Sequence, residues 1–300
     1  MNIAPLGIGL YAPSGYVSDP AAIDRAAAYL VQHGHRVVVD PGCTARWQRF
    51  AGDDDARLGA VMRMARDPAV ELAIAARGGY GWSRIIDRID FRAIASARKR
   101  WMGHSDFTAF QLAALAHGGM ITYAGPMAAY DFGAETVSPF TAEHCARMLA
   151  DGADMIELPL DGPDFAGEGT LWGGNLALVA HLVGTAHLPQ TRGGILFLED
   201  IGEHPYRIER MLHQLHFAGV LSRQRALLLG AFNGYEAAPN DNGYDLDSVV
   251  AVARERFGIP VFTGLPFGHV RDKLTLPVGG HCELDVRSGL ARVTITVPRH

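Results

Sequence analysis

Four short segments of the chain carry side chains suited to acyl-transfer chemistry. In WMGHSDFTAFQLAALAHG a short strand turns at Gly103-His104-Ser105 into an apolar helix. A serine at such a turn projects its hydroxyl above the sheet edge, and the helix behind it offers unpaired backbone N–H groups to an oxyanion. The segment lacks the second glycine of the G-x-S-x-G pattern, and Ser105 or Asp106 would serve equally as a helix N-cap. In ARGGYGWSR, Arg77 to Arg84, three glycines follow a buried strand. They let backbone approach a ligand or aim an N–H at developing negative charge, and they equally suit a tight turn into the next helix. The run matches neither P-loop nor G-x-G-x-x-G spacing.

The third segment is GILFLEDIGEHPYRIERMLHQL, where Glu199 ends an apolar strand and would need a partner to offset its desolvation. A histidine would satisfy it. Asp200 and Glu203 are alternatives, either of which would also cap the helix starting near Pro205, while Arg207 and Arg210 fit surface pairing with Glu203 or Glu209. The fourth is GLPFGHVRDKLTLPVGGH, with His269 in a loop after a strand. The chain has 13 histidines, so position alone raises this one. His104 is its local rival as a base for Ser105, but neighbours at an extended turn point apart, which favours a distant histidine.

These segments sit in a regular order of elements. IGLYA, a helix from Pro20 to about His33, RVVVD, a helix around Asp55 to Arg66, and ELAIAA from Glu71 to Ala76 open the chain. Short helices after Gly81 and Asp90, a strand ending near Gly103, a helix from Phe107 to about His117 and the strand ITYAG continue it. This βαβα order predicts a Rossmann-like parallel sheet with helices on its faces and ligands at the strands' carboxyl ends. Residues 132–167 hold one short helix, Phe140 to Ala150, and then IELPLDGPDFAGEG, rich in Gly, Pro and Asp, which reads as a boundary. Two domains are expected, 1–150 with the serine and 165–300 with Glu199 and His269. The second is smaller and β-rich, α+β or barrel-like. It includes EGTLWGGN, a helix from Leu176 to Val183, GILFLE, a helix from Tyr206 to about Phe217, ALLLGAF, a helix from Leu246 to Phe257 and IPVFTG. A hairpin from Leu274 to Val297, turning at Ser288-Gly289, closes it.

Composition narrows the classes. With 48% hydrophobic and 20% charged residues the chain can bury a large core, and a net charge of −5 gives no general attraction to nucleic acid or an anionic membrane. A small or uncharged ligand is the default expectation. Cys43, Cys145 and Cys282 lie far apart, so neither a metal knuckle nor a disulfide framework can be written, and reduced thiols in a cytoplasm fit. The opening residues read as a first strand and not a signal peptide, and no apolar run is long enough for a membrane span. His213 and His216, three apart on a helix, are the nearest approach to a metal pair; no metal or cofactor is expected.

The blocks LYAPSGY, RFAG, ARGGYGWSR, GHSDFTAFQ, EGTLWGGNLAL, LEDIGEHPYRIERML and GLPFGHV together resemble the LD-carboxypeptidase family, serine peptidase family S66, in family order along nearly the whole chain. The resemblance implies Ser105 as nucleophile, Glu199 as charge-relay carboxylate and His269 as base, in a cleft between a Rossmann-like and a β-rich domain of a homodimer. It also implies removal of terminal D-alanine from a murein tetrapeptide during cell-wall recycling. Within that reading the backbone N–H groups of Asp106 and of the Gly78-Gly79 turn would hold the oxyanion. Tyr80, Asn175, Arg207 and Arg77 are candidate contacts to the peptide and its carboxylates. Two other readings stay open. One is a microcin-immunity-type hydrolase of peptidyl-nucleotides, for which no aromatic-bearing insertion is evident; the other is a non-catalytic two-domain binder.

Overall fold

The computed structural model describes residues 3–297, and the structure is mixed α/β with two sheets. The first half runs β1 (Gly7–Tyr11), α1 (Ala21–Gln32), β2 (Arg36–Val39), α2 (Asp54–Arg66), β3 (Leu72–Ala75), α3 (Phe91–Ser96), β4 (Arg100–Gly103), α4 (Thr108–Gly118) and β5 (Thr122–Ala124). The second half runs α5 (Pro139–Asp151), β6 (Ala153–Pro159), β7 (Phe165–Asn175), α6 (Leu176–His181), β8 (Ile195–Ile201), α7 (Pro205–Phe217), β9 (Ala226–Asn233), α8 (Leu246–Arg256), β10 (Val261–Thr263), β11 (Leu276–Val278), β12 (Gly280–Arg287) and β13 (Leu290–Thr296).

Strands β1 to β5 are short and each pairs in parallel; β1, β3, β4 and β5 are largely buried, as continuous apolar runs covered on both faces require, while β2 at the sheet edge is partly exposed. Their sheet has the order β11-β5-β4-β3-β1-β2, so the chain reverses direction across the sheet between β1 and β3. Ligands of open parallel sheets collect beyond the carboxyl ends at such a point. The loops there are APSG after β1, ARGGYG after β3 and GHSD after β4. Trp82, Trp101, Phe107 and Phe110 pack against one another in the core behind these loops, Phe107 and Phe110 stacked and the other pairs tilted or edge-on.

The second sheet has the order β10-β9-β8-β7-β12-β13-β6, parallel from β7 to β10 and antiparallel from β7 to β6. The hairpin turn at Ser288-Gly289 is as expected, but the segment before it adds β11 antiparallel to β5, in the first sheet. The Gly- and Pro-rich stretch after α5 forms the end of β6 and the first half of β7. Cross-strand pairing with the β12–β13 hairpin outweighs the low β-propensity of its residues. Among the described residues no helix is long and apolar enough to cross a membrane.

Two buried ionisable side chains hold the strand-end loops together. Arg57 of α2 is wholly buried and its Nη1 donates to the Pro13 and Gly81 carbonyls, both at 2.9 Å, while Nη2 pairs with Asp54. Asp106 Oδ2 accepts from Ser14 Oγ at 2.7 Å and from the Trp82 N–H at 3.1 Å, and Gly15 N–H donates to Gly78 O at 3.1 Å. Arg57→Leu takes the buried charged donor from the Pro13 carbonyl, and leaves the Gly81 carbonyl and Asp54 only their contacts with Arg84, and should lower stability by about 3 kcal/mol in urea unfolding.

Burial raises the Asp106 carboxyl from its ordinary 3.8 to about 6, against the lowering effect of its hydrogen bonds. Between these values the folded chain keeps a proton that the unfolded chain has released. The contribution is therefore full below the unfolded value and is lost as pH rises through about 6. Asp106→Asn retains an acceptor oxygen without the charge. Its stability relative to the wild type should improve from pH 4 to pH 7, as read from unfolding midpoints across that range.

Candidate active site

After β4 the chain turns through Ser105–Phe107, a single 3-10 turn, directly into α4. Ser105 adopts φ +63°, a left-handed conformation costing a non-glycine residue about 1–2 kcal/mol. This conformation rules out Ser105 as a simple extended N-cap. Neither Ser105 nor Asp106 caps α4 with its side chain; Asp106 turns inward to the loop ties already described. Gly78 has no Cβ because one would lie 2.7 Å from both Ser105 Cβ and Oγ and 3.4 Å from Asp106 N. Three elements thus meet at one oxygen: the serine, the N–H that follows it and the glycine turn after β3.

Glu199 lies near the end of β8, where the register with β9 shifts between Leu198 and Asp200, a bulge of the kind that re-aims a side chain. It is fully buried. Its Oε2 accepts from His269 Nδ1 at 2.7 Å, and its Oε1 is 3.4 Å from Asn175 Nδ2. A carboxylate only accepts, so Nδ1 carries the hydrogen and Nε2 is left as the basic nitrogen. His269 reaches this position because Gly268, at φ +133°, passes close to the carboxylate; a Cβ there would sit 3.1 Å from Glu199 Cβ and Oε2. The His269 carbonyl is fixed by Asn233 Nδ2 at 3.0 Å.

The rival base is buried, weak and held by the backbone. His104 is buried, its Nδ1 lies 2.9 Å from Gly125 O, and its ring stands edge-on to His269 with centroids 5.2 Å apart. Burial, reinforced by the charges of Lys273 and His269, holds its pKa well below the usual histidine value. Asp200 is likewise accounted for: burial pushes it up to about 6, and it accepts from Asn175 Nδ2, Ala177 N and Ile201 N. It caps the start of α6 and not the helix after Pro205. Glu203 pairs with Arg207 at 3.7 Å.

Ser105 and His269 line one cavity of about 500 Å³, together with Gly78, Gly79, Arg77 and His104. That volume suits a small peptide end. Three expected contacts lie elsewhere among the described residues. Tyr80 is exposed beside Phe50, and Arg207 is exposed on Tyr206 and Glu203. Asn175 is buried behind Glu199, where it also caps α6 through Leu178 N. Sequence reasoning missed Tyr130, Asp131, Arg271 and Lys273 on the cavity wall. A signal existed, since GPMAAYDF follows β5 at the same carboxyl edge of the sheet, and Lys273 stands against an apolar run. Asp131 is brought inward by a π-helical turn over Ala128–Phe132, where its Oδ1 pairs with Lys273 Nζ. Outside the cavity, Glu168, His281 and Glu283 place three donor atoms within 4.8 Å of one another on the outer surface of β7 and β12.

Residues 8–125 match the LD-carboxypeptidase N-terminal domain and residues 168–284 the LD-carboxypeptidase C-terminal domain. The chain is 31% identical to a probable murein peptide carboxypeptidase of Bacillus subtilis, over 93% of this chain and 88% of that one. It is 29% identical to the murein tetrapeptide carboxypeptidase of Pseudomonas aeruginosa, over 91% of each. Among solved structures, muramoyltetrapeptide carboxypeptidase from Oxalobacter formigenes superposes with a TM-score of 0.91 at 43% identity, covering 97% of this chain and 99% of that one. The microcin C7 self-immunity protein MccF shares the fold, with a TM-score of 0.89 at 23% identity over 99% of each chain. The chain belongs to the LD-carboxypeptidase family, S66, and is a serine-type carboxypeptidase.

Proposed function

We propose that this carboxypeptidase hydrolyses the L–D peptide bond of a murein tetrapeptide and releases the terminal D-alanine through a Ser105–His269–Glu199 triad. The observation that carries the reading is the fully buried Glu199 bonded to His269 Nδ1, with the strained Ser105 on the wall of the same cavity. His269 Nε2 takes the Ser105 hydroxyl proton as Oγ adds to the carbonyl carbon of the L-centre. The imidazolium is held by Glu199, and the oxyanion lies between the N–H of Asp106 and that of the Gly79 turn, about 3 kcal/mol per donor. Collapse breaks the C–N bond, and the nitrogen of D-alanine leaves with the proton from His269. Water then repeats the addition on the acyl-enzyme, giving its proton to His269, and restores the serine. Asn175, which touches Glu199 and not the cavity, acts by positioning that carboxylate.

The same reading places the enzyme in the cytoplasm, as a homodimer, acting on peptides returned from the wall. The three free, buried cysteines are compatible with a reducing compartment. Sedimentation checks the assembly.

Ser105→Ala should lower kcat for D-alanine release by about 10³-fold or more while peptide binding persists. His269→Ala should be comparably severe. Glu199→Gln should fall between it and the wild type, because it disturbs orientation and charge but leaves a base. Steady-state release of D-alanine from purified muropeptide tetrapeptide checks all three. An aminoacyl-nucleotide conjugate run in parallel should be turned over far more slowly; undiminished release by Ser105→Ala, or preference for the conjugate, overturns the reading.

A further inference from the structure

We propose that His117 and His187 form a binding site for one zinc-type divalent cation, which joins the end of α4 to the loop after α6, away from the catalytic cavity.

The two histidines come from different halves of the chain and face each other at short range. His117 is in the last turn of α4, and His187 lies in the loop that follows α6. His117 Nε2 is 3.0 Å from His187 Nδ1, and the ring centres are 5.1 Å apart. Two imidazoles on one tetrahedral zinc ion, with Zn–N bonds of about 2.0–2.1 Å, hold their nitrogens about 3.3 Å apart and their ring centres about 5.2 Å apart. The rings already stand at that separation. They need only tilt to aim both lone pairs at one point.

Both rings are held from behind. His187 Nε2 is 2.8 Å from Asp87 Oδ1. A carboxylate only accepts, so Nε2 carries the hydrogen and Nδ1 keeps the lone pair that faces His117. A carboxylate behind a histidine in this way fixes the tautomer of a metal ligand and raises its basicity. The His187 backbone is tied as well, its N–H donating to Thr185 Oγ1 at 3.2 Å. His117 lies against Phe91, with ring centres 5.5 Å apart and planes 22° apart. Partial burial and the neighbouring His187 lower the His117 pKa from its ordinary 6.5, which leaves the ring free of a second proton at neutral pH. In the ion-free pair His117 Nε2 donates to His187 Nδ1. With the ion bound, that hydrogen is carried on His117 Nδ1 instead, so the neutral pair binds without releasing a proton.

The surroundings suit a hydrated cation. The last turn of α4 presents carbonyl oxygens, the negative pole of the helix dipole. Asp87, Asp90 and Arg92 line a cavity of about 310 Å³ together with both histidines, which leaves room for the waters that complete a tetrahedron. Imidazole donors favour zinc, copper and nickel over calcium and magnesium. The ion takes no part in the chemistry at Ser105, because α4 starts from the Ser105 turn and, at 1.5 Å per residue, ends about 18 Å further along its axis. The competing place for such an ion is the group of Glu168, His281 and Glu283. There both carboxylates address the same nitrogen, His281 Nε2, at 3.5 and 4.0 Å, and among the described residues nothing holds the other ring nitrogen to fix the tautomer.

The test is calorimetric titration of the tag-free chain with zinc chloride at pH 7.5. The wild type should take up one equivalent, and calcium chloride should give no binding. His117→Gln and His187→Gln should each weaken zinc binding by tenfold or more, Asp87→Asn by about tenfold, and His281→Gln should leave the affinity unchanged. With copper(II) as the probe, electron paramagnetic resonance should show two imidazole nitrogens in the wild type and one in either histidine variant. Saturating zinc should raise the urea midpoint of the wild type and not that of His117→Gln, whose midpoint without zinc reports that it is folded. No zinc uptake by the wild type, uptake that survives in both His117→Gln and His187→Gln, or uptake lost in His281→Gln overturns the proposal.

Discussion

A carboxylate with no contact with solvent is tolerable only where its charge is answered, and the site is organised around that demand at Glu199. Desolvation of an unpaired carboxylate costs several kcal/mol, so the residue fixes what surrounds it. His269 answers one oxygen and Asn175 approaches the other. The bulge between β8 and β9 turns the side chain toward the loop after β10, and Gly268 lets that loop pass within contact distance. The imidazole is left with one tautomer and one orientation. Neither is imposed by any contact with Ser105, whose hydroxyl makes no hydrogen bond among the described residues, so the base is set before the nucleophile engages it.

The two halves of the chemistry come from different sheets, which raises the question of what holds them in register. The answer is the stretch that follows His269. The Arg271 carbonyl and the Lys273 N–H both bond to Thr141 Oγ1, Asp272 accepts from Ser138 Oγ, and Lys273 Nζ pairs with Asp131. The chain then enters the first sheet as β11 beside β5 before returning to the second as β12. A loop anchored to the second sheet by Glu199, to the start of α5 and the turn after β5 by four polar contacts, and to the first sheet by a strand can shift relative to Ser105 only by breaking them. On the serine side the corresponding work falls to Arg57 and Asp106, which bind the loops after β1, β3 and β4 into one rigid edge.

Much of this was legible in the residues. The parallel strands were marked by unbroken apolar runs, and the serine by a strand-to-helix turn. The second sheet was harder, because β7 contains Gly167, Gly169, Gly173 and Gly174 and owes its length to a hairpin more than a hundred residues away. Local propensity cannot report such pairing. The same limit applies to the site. Glu199 over Asp200, and His269 over His104, depend on which polar group is already committed: Asp200 to the start of α6 and His104 to Gly125. Arg207 and Asn175 were read from nearness in sequence to conspicuous motifs, yet a helix turns one away and a cap occupies the other.

Charge shows most plainly why whole-chain quantities mislead about a site. The net charge of −5 suggested a small or uncharged ligand, since the protein as a whole repels anions. Inside the cavity the sign is reversed. The buried acids are consumed by structure: Glu199 by His269, Asp106 by Ser14 and Trp82, Asp200 by the backbone of α6, and Asp131 by Lys273. What remains facing the space beside Ser105 is Arg77 and Arg271. In a concave site with low-dielectric walls such groups act at short range and are weakly screened, so they outweigh a diffuse negative surface. The field a ligand meets there is set by which charges are left unpaired, and that depends on the packing of Lys273 against Asp131 as much as on the arginines themselves.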